Sequence, residues 1–230
     1  QAGSVKTTGT GALWLHAYDN NGGVDYSTIY VGSGGMANTS SGYMGVENSA
    51  HQTVIRPLNS NFTIARGKNG SYDIRLGNTS SSGNIQFFLR TDDKNGVPRQ
   101  ITLAGLLKTE VNTSSVTVSG HGTNRVTSAS TGMTGTYTVS DGATAVFDGG
   151  KGFQNGTVSV AAGGRLVAGG ASAKAGKLKI ANGSTLEFKL DSATCTSFAA
   201  ASITPAASGA KATIAFTPDS VKLVGKSYTL

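Results

Sequence analysis

The chain has few charged residues, one cysteine and four prolines. Only 13% of its 230 residues are Asp, Glu, Lys or Arg. A single cysteine excludes a disulfide framework within the chain, and no Cys/His spacing typical of a zinc site is present, so we expect no metal and no cofactor. We therefore expect Cys195 to be a small apolar filler. No apolar run reaches the ~20 residues that a membrane-spanning helix needs, so no membrane insertion is expected.

The residues that are abundant indicate a β protein. The chain has 33 glycines and many Ser, Thr, Asn and Val residues. This composition is typical of short strands joined by frequent turns, and it argues against a helical bundle. The fold class predicted from composition is therefore all-β.

Three segments of the chain repeat one pattern at a nearly constant interval. They begin at Gly135, Gly156 and Gly176 and read GTYTVSDGATAVF, GTVSVAAGGRLVA and GKLKIANGSTLEF. Positions three, five, eleven and thirteen are apolar, which predicts two short strands with one face inward. Position eight is glycine, which allows a bend with positive φ. A period of about 20–21 residues with this pattern predicts a parallel β-solenoid, in which each coil buries its apolar face against neighbouring coils.

The solenoid is expected to extend beyond these three coils. SSVTVSGHG, from Ser114, predicts a fourth coil, and residues 111–190 are assigned to regular coils. Residues 1–110 contain irregularly spaced strands and include an N-terminal cap in one interpretation. Residues 191–230 are predicted to form C-terminal coils, with the alanine-rich TSFAAASITPAASGA as a loop or short helix. We interpret residues 1–230 as a single β-solenoid segment of a longer protein.

Residues 135–188 resemble the repeats of bacterial autotransporter passenger domains, through coils such as GTVSVAAGGRLV and GKLKIANGSTLEF. The resemblance implies a right-handed parallel β-helix. It also implies a place outside the bacterial cell, at the outer membrane, to which a C-terminal part beyond this sequence would attach it. The function implied is that of a non-enzymatic, adhesin-like stalk.

The net charge of +7 favours an anionic partner, such as a host glycan, a mucin or a surface protein. Nucleic acid is not expected, because no tight basic cluster with interleaved aromatic residues occurs. The aromatic residues near the start either stack on sugar rings or cover the open end of the solenoid. The candidate binding residues are Trp14, Tyr18, Tyr26, Tyr30, Arg56, Arg66, Lys68 and Arg75.

An alternative is a carbohydrate-active enzyme similar to the polygalacturonase-like glycoside hydrolases. TDDKNG offers the carboxylate pair Asp92 and Asp93, SGHGTNR offers His121, and Asp73 offers a third carboxylate. Paired carboxylates can divide the acid and base roles in glycoside hydrolysis. However, the Asn-Thr-Asp and Arg-Ile-Lys elements of that family are absent, DDKNG is an ordinary turn sequence, and His121 falls at the bend position of its coil. The sequence leaves the ligand and the oligomeric state open.

Overall fold

The computed structural model describes residues 2–7, 12–15, 26–38, 42–46, 52–68, 72–77, 84–190 and 195–218. Within these ranges the chain forms 21 β-strands and no helix. The predicted all-β class is therefore confirmed. The strands belong to three sheets, in which neighbouring strands run parallel.

Sheet 1 has eight strands. In order of pairing they are β3 (Tyr26–Val31), β6 (Gln52–Pro57), β9 (Gln86–Arg90), β12 (Ser115–Ser119), β14 (Thr136–Val139), β16 (Gly152–Val160), β18 (Ala173–Ile180) and β20 (Phe198–Pro205). Sheet 2 has nine strands. They are β1 (Val5–Thr7), β4 (Met36–Asn38), β7 (Phe62–Ile64), β10 (Gln100–Leu103), β13 (Thr123–Val126), β15 (Thr144–Phe147), β17 (Arg165–Ala168), β19 (Thr185–Leu190) and β21 (Thr213–Pro218). Sheet 3 has four strands, β2 (Ala12–Leu15), β5 (Tyr43–Val46), β8 (Ile74–Leu76) and β11 (Leu107–Thr109).

The chain winds through these sheets as a parallel β-solenoid. From β1 to β12 it visits sheet 2, sheet 3 and sheet 1 in turn, so each coil has three sides. From β13 onward it alternates between sheets 2 and 1. There no separate strand of the described residues forms a third side; instead, β16 and β18 are long strands, and their pairing shifts register between Phe153 and Thr157. The irregular upstream strands are therefore coils of the same solenoid.

The strand register confirms the repeat read from the sequence. Ser115 pairs with Thr136, Thr136 pairs with Thr157, and Thr157 pairs with Lys177, so each residue lies opposite its counterpart in the next repeat. The glycines at the eighth position, Gly142, Gly163 and Gly183, have φ values of 75°, 72° and 75°. Only glycine adopts these values without strain, which explains its recurrence at each bend.

The inward positions predicted from the alternating pattern form the core. Tyr137, Val139, Val158, Val160 and Leu178 are buried. Inside the coils, three aromatic side chains pack against one another. The ring centroid of Phe147 lies 5.5 Å from that of Tyr137 and 5.4 Å from that of Phe153. Sheets 1 and 2 are therefore joined by side chains that interdigitate inside the coil.

The alanine-rich segment departs from its prediction. The sequence predicts a loop or a short helix there, but the segment contains strand β20, which extends sheet 1 by pairing with β18. Leu178 lies opposite Ile203 and Ala175 lies opposite Ala200. Alanine favours helices in isolation, and here the open edge of a parallel sheet overrides that weak local preference.

Candidate functional site

The outer face of sheet 1 carries a groove of about 430 Å³. Alternate residues of a strand point to opposite faces, and outward residues of β3, β6, β9 and β12 line the groove. Val54 and Phe88 pair across β6 and β9 and provide an apolar strip. The groove is lined by Thr28, Gln52, Val54, Arg56, Phe88, Arg90 and Ser119.

Two arginines of the groove share one carboxylate. Arg56 donates through Nη2 to Oδ2 of Asp92 at 2.8 Å and through Nε to the Asp92 carbonyl at 2.9 Å. Arg90 donates through Nε to the same Oδ2 at 3.1 Å. The Asp92 side chain is only 4% exposed, whereas that of Arg90 is 49% exposed. Because two guanidinium groups meet one carboxylate, this cluster has a net positive charge.

Tyr30 lies against Arg56 at this corner of the groove. The guanidinium carbon of Arg56 lies 5.8 Å from the centroid of the Tyr30 ring, within the range of a cation–π contact. On the opposite border, Gln52 donates through Nε2 to Oε1 of Gln86 at 3.0 Å. The groove thus presents guanidinium, amide and hydroxyl groups around an apolar strip.

The charge of sheet 1 has one sign. Its eight strands contain no Asp or Glu, and they contain five cations: Arg56, Arg90, Lys174, Lys177 and Lys179. The carboxylates of the described residues lie in turns or in sheet 2. Much of the net positive charge of the chain is therefore concentrated on sheet 1.

Asp93 is held by four hydrogen bonds. Its Oδ1 accepts from the backbone N–H groups of Asn95 at 2.8 Å and Val97 at 3.1 Å, and its Oδ2 accepts from Nε and Nη2 of Arg99 at 3.0 and 2.8 Å. Burial alone would raise the pKa of Asp93. The hydrogen bonds from Arg99, Asn95 and Val97 and the positive charge of Arg99 outweigh burial and hold the pKa below its ordinary value. Asp93 is therefore a carboxylate that organises its turn.

Asp73 also serves as a hydrogen-bond acceptor within the scaffold. Its Oδ1 accepts from the N–H of Gly67 at 2.7 Å and its Oδ2 from the N–H of Leu106 at 2.8 Å. Its backbone carbonyl accepts from Nδ2 of Asn38 at 2.9 Å. Asp73 therefore ties successive coils together at one corner.

The carboxylate pair and the Gly-His-Gly turn are neighbours, although they are far apart in sequence. The N–H of Gly122 donates to Oγ1 of Thr91 at 3.0 Å, and a Cβ at Gly120 would clash with Oδ1 of Asp92. His121 itself is exposed, and its ring lies over Gly142 of the next coil. The carboxylate pair and the His121 turn, which the enzyme alternative requires, are thus close together. However, both carboxylates form ion pairs with arginines.

A second aromatic and basic patch lies on sheet 3. The ring of Trp14 packs on Gly45 and lies 5.8 Å from that of Tyr43, which lies 5.1 Å from that of Tyr72. Arg75 stacks on both tyrosines at 5.6 and 5.9 Å.

The charge of Arg75 is paired inside that patch. Its Nε lies 2.8 Å from Oε1 of Glu110, which also meets Nζ of Lys108 at 2.8 Å. Burial alone would lower the pKa of Arg75, but its hydrogen bond to Tyr43 and the charge of Glu110 raise the pKa above its ordinary value. This residue therefore acts mainly as a clamp between strands of sheet 3.

The remaining predicted binding residues lie elsewhere. Arg66 borders a separate depression of about 480 Å³ with Lys151, and its Nη1 lies 3.7 Å from Oδ2 of Asp73. Lys68 is exposed. Tyr26 begins β3, with its side chain outside the description, and Tyr18 lies outside the described residues.

Among the candidates whose side chains the structure describes, Arg56 lines the groove and Tyr30 contacts Arg56, whereas Trp14, Arg66, Lys68 and Arg75 lie elsewhere. The candidates selected from the sequence do not include the groove residues Phe88, Arg90 and Gln52. The signal for Phe88 is present in NIQFFLR, where it stands between the inward Phe87 and Leu89 and so occupies an outward position with an apolar ring.

In the part of the chain that the structure describes, no group of three or more His, Cys, Asp or Glu residues is arranged to hold a metal. In the same ranges, no helix has the length and hydropathy for a bilayer span. Cys195 is half-buried, and burial raises the pKa of its thiol. Its Sγ donates to the Thr196 carbonyl at 3.2 Å, so it is not an activated thiolate.

Comparison of the chain with protein-family models, with curated proteins and with solved structures found no match.

Proposed function

We propose that the outer face of sheet 1 binds acidic glycans without cleaving them, as the adhesive surface of a bacterial cell-surface passenger domain. The observation that carries the proposal is the groove around Phe88, with Arg56 and Arg90, in a sheet whose strands contain five cations and no Asp or Glu. An excess of one charge on one face attracts ligands of the opposite charge over distances longer than a hydrogen bond.

The groove suits a sugar that carries a carboxylate or a sulfate. The apolar face of a pyranose ring packs on an aromatic or aliphatic strip, here Phe88 and Val54. A guanidinium group binds a carboxylate or a sulfate through two parallel N–H groups. The described hydrogen bonds of Arg90 use its Nε, which leaves its two Nη groups for the ligand. Gln52 and Ser119 provide partners for sugar hydroxyls.

Hydrolysis is the weaker candidate. A glycosidase needs a carboxylic acid that stays protonated near neutral pH, and such groups have raised pKa values. The pKa of Asp93 is shifted in the opposite direction, and Asp92 is neutralised by two arginines. The proximity of these residues to the His121 turn is the one observation that favours the enzyme alternative.

The cellular context belongs to the same proposal. A right-handed winding is expected because crossovers between parallel strands take that hand almost without exception. Stacked coils form an extended scaffold, which suits a stalk that presents a binding face to a host glycan, a mucin or a surface protein. The autotransporter resemblance supports this placement at the outer surface of a bacterium.

The test is binding to an array of sulfated and sialylated mucin oligosaccharides, uronate polymers and their neutral counterparts. Retention of the protein and the mass of each glycan are both measured. We expect retention on acidic glycans that falls with added salt, and unchanged glycan masses. Cleavage of a glycan that Asp93→Asn abolishes would replace this proposal with the hydrolase.

A pair of variants locates the site. Arg90→Gln removes a cation from the groove, and Arg125→Gln removes an equally exposed cation from sheet 2, where it pairs with Asp148 at 3.0 Å. A lost hydrogen bond between charged groups corresponds to about a tenfold loss of affinity or more. We expect that loss for Arg90→Gln and less than a twofold loss for Arg125→Gln. Equal losses would show that only net charge matters.

A further inference from the structure

We infer that the ligand of sheet 1 is a linear acidic polysaccharide that lies along the solenoid axis, from the groove at β6 and β9 to the lysines of β18. This inference rests on the proposed function and adds the length and direction of the ligand. It follows from the order of the outward side chains across sheet 1.

The outward residues of sheet 1 form straight rows, because its strands are parallel and in register. The central row changes from apolar to hydroxyl to basic along the axis and consists of Val54, Phe88, Thr117, Thr138, Ser159 and Lys179. The row beside it changes from amide to hydroxyl to basic and consists of Gln52, Gln86, Ser115, Thr136, Thr157 and Lys177.

The two basic ends lie a fixed distance apart. Strands β9, β12, β14, β16 and β18 are consecutive neighbours in sheet 1, so four strand spacings separate Arg90 from Lys179. At about 4.8 Å per spacing, the distance along the axis is about 19 Å. A sugar ring in an extended chain advances by a similar step. One continuous chain of about five sugars therefore reaches from the groove to the lysines.

The surface between the two ends suits a glycan. Thr117, Thr138 and Ser159 are half-buried, and each hydroxyl can both donate and accept a hydrogen bond. A glycan backbone presents donors and acceptors of the same kind at each ring. No carboxylate in the strands of this sheet would repel the acid groups of the ligand.

A nucleic acid fits this face less well. Single-stranded nucleic acids bind where successive bases stack on aromatic side chains, and duplexes need cations along the whole track. In the two rows of sheet 1, Phe88 is the one aromatic residue, and no cation lies between Arg90 and Lys179. The middle of the track is neutral and hydroxylated, which favours the polysaccharide.

The experiment is calorimetric titration of the protein with uronate oligosaccharides of two to eight sugars. The test variant is the double change Lys177→Gln and Lys179→Gln. The control is Lys94→Gln with Lys211→Gln, which removes the same charge from two exposed lysines outside sheet 1. We expect the affinity to rise with length up to about five or six sugars and then to level off.

The variants separate the inference from the proposed function. We expect the test variant to weaken octasaccharide binding about tenfold and to leave disaccharide binding unchanged, with no effect of the control pair. If affinity does not depend on length while Arg90→Gln still removes binding, the axial track is wrong and the groove remains. If no oligosaccharide binds at any length, both proposals fail. If a DNA duplex of equal charge displaces the octasaccharide at lower concentration, the ligand class is wrong.

Discussion

Replacement of Phe147 by alanine tests the assignment of inward and outward positions. Phe147 is fully buried inside the coil and packs edge-to-face against the rings of Tyr137 and Phe153. Truncation of a buried phenylalanine costs about 3–5 kcal/mol of unfolding free energy. We expect about 4 kcal/mol here, which lowers the urea midpoint by about 2 M at a slope of about 2 kcal/mol per M.

The control is the preceding residue of the same strand, Val146, which points outward from sheet 2. Val146→Ala should cost less than about 1 kcal/mol, since surface substitutions rarely cost more. Urea unfolding followed by circular dichroism measures both values. Hydrogen exchange should place the loss from Phe147→Ala in the coils on either side of β15, because each coil contacts only its neighbours. Equal costs for the two variants would refute the alternation on which the fold account depends.

Two further predictions concern buried polar groups. Because the pKa of Asp93 is lower in the folded chain, its contribution to stability is fully present above the unfolded pKa of about 4 and is lost as the pH falls through the folded pKa. Thermal unfolding across acidic pH should therefore show a smaller acid-induced fall in melting temperature for Asp93→Asn than for the unmodified chain. An unchanged pH dependence of the melting temperature would contradict this role of Asp93. Tyr137→Phe removes the hydroxyl that donates to Oδ1 of Asn124 in the core, and it should cost about 1–3 kcal/mol in urea unfolding. A neutral effect would mean that Asn124 finds another donor.

The regular coils were predictable from the sequence because local pattern and global fold agree there. In residues 135–188, the apolar pairs recur at a constant period and each bend needs a glycine with positive φ, such as Gly142. The upstream coils follow the same alternation, but their loops differ in length. Thr53, for example, pairs with Phe87, which closes a much longer coil than the one between Ser115 and its partner Thr136. Periodicity could not reveal these pairings or the third sheet.

The candidate site was less predictable for the same reason. Arg56 and Tyr30 were selected from the sequence, but the carboxylate that orients Arg56 belongs to Asp92, on a later coil. The outward position of Phe88 becomes evident only once Phe87 is known to point inward. A site assembled from adjacent coils depends on the register between their strands. That register depends on the loops between strands, and the path of each loop cannot be read from the sequence alone.

The most direct test of the central claim is a map of the glycan contact on the protein by amide NMR shifts, with a uronate hexasaccharide as the ligand. We predict that the largest shifts occur in β9, β12 and β18, around Phe88, Thr117 and Lys179, and that the hexasaccharide keeps its mass. Shifts concentrated around Tyr72 and Arg75 on sheet 3, with sheet 1 unchanged, would contradict the claim that sheet 1 is the binding face.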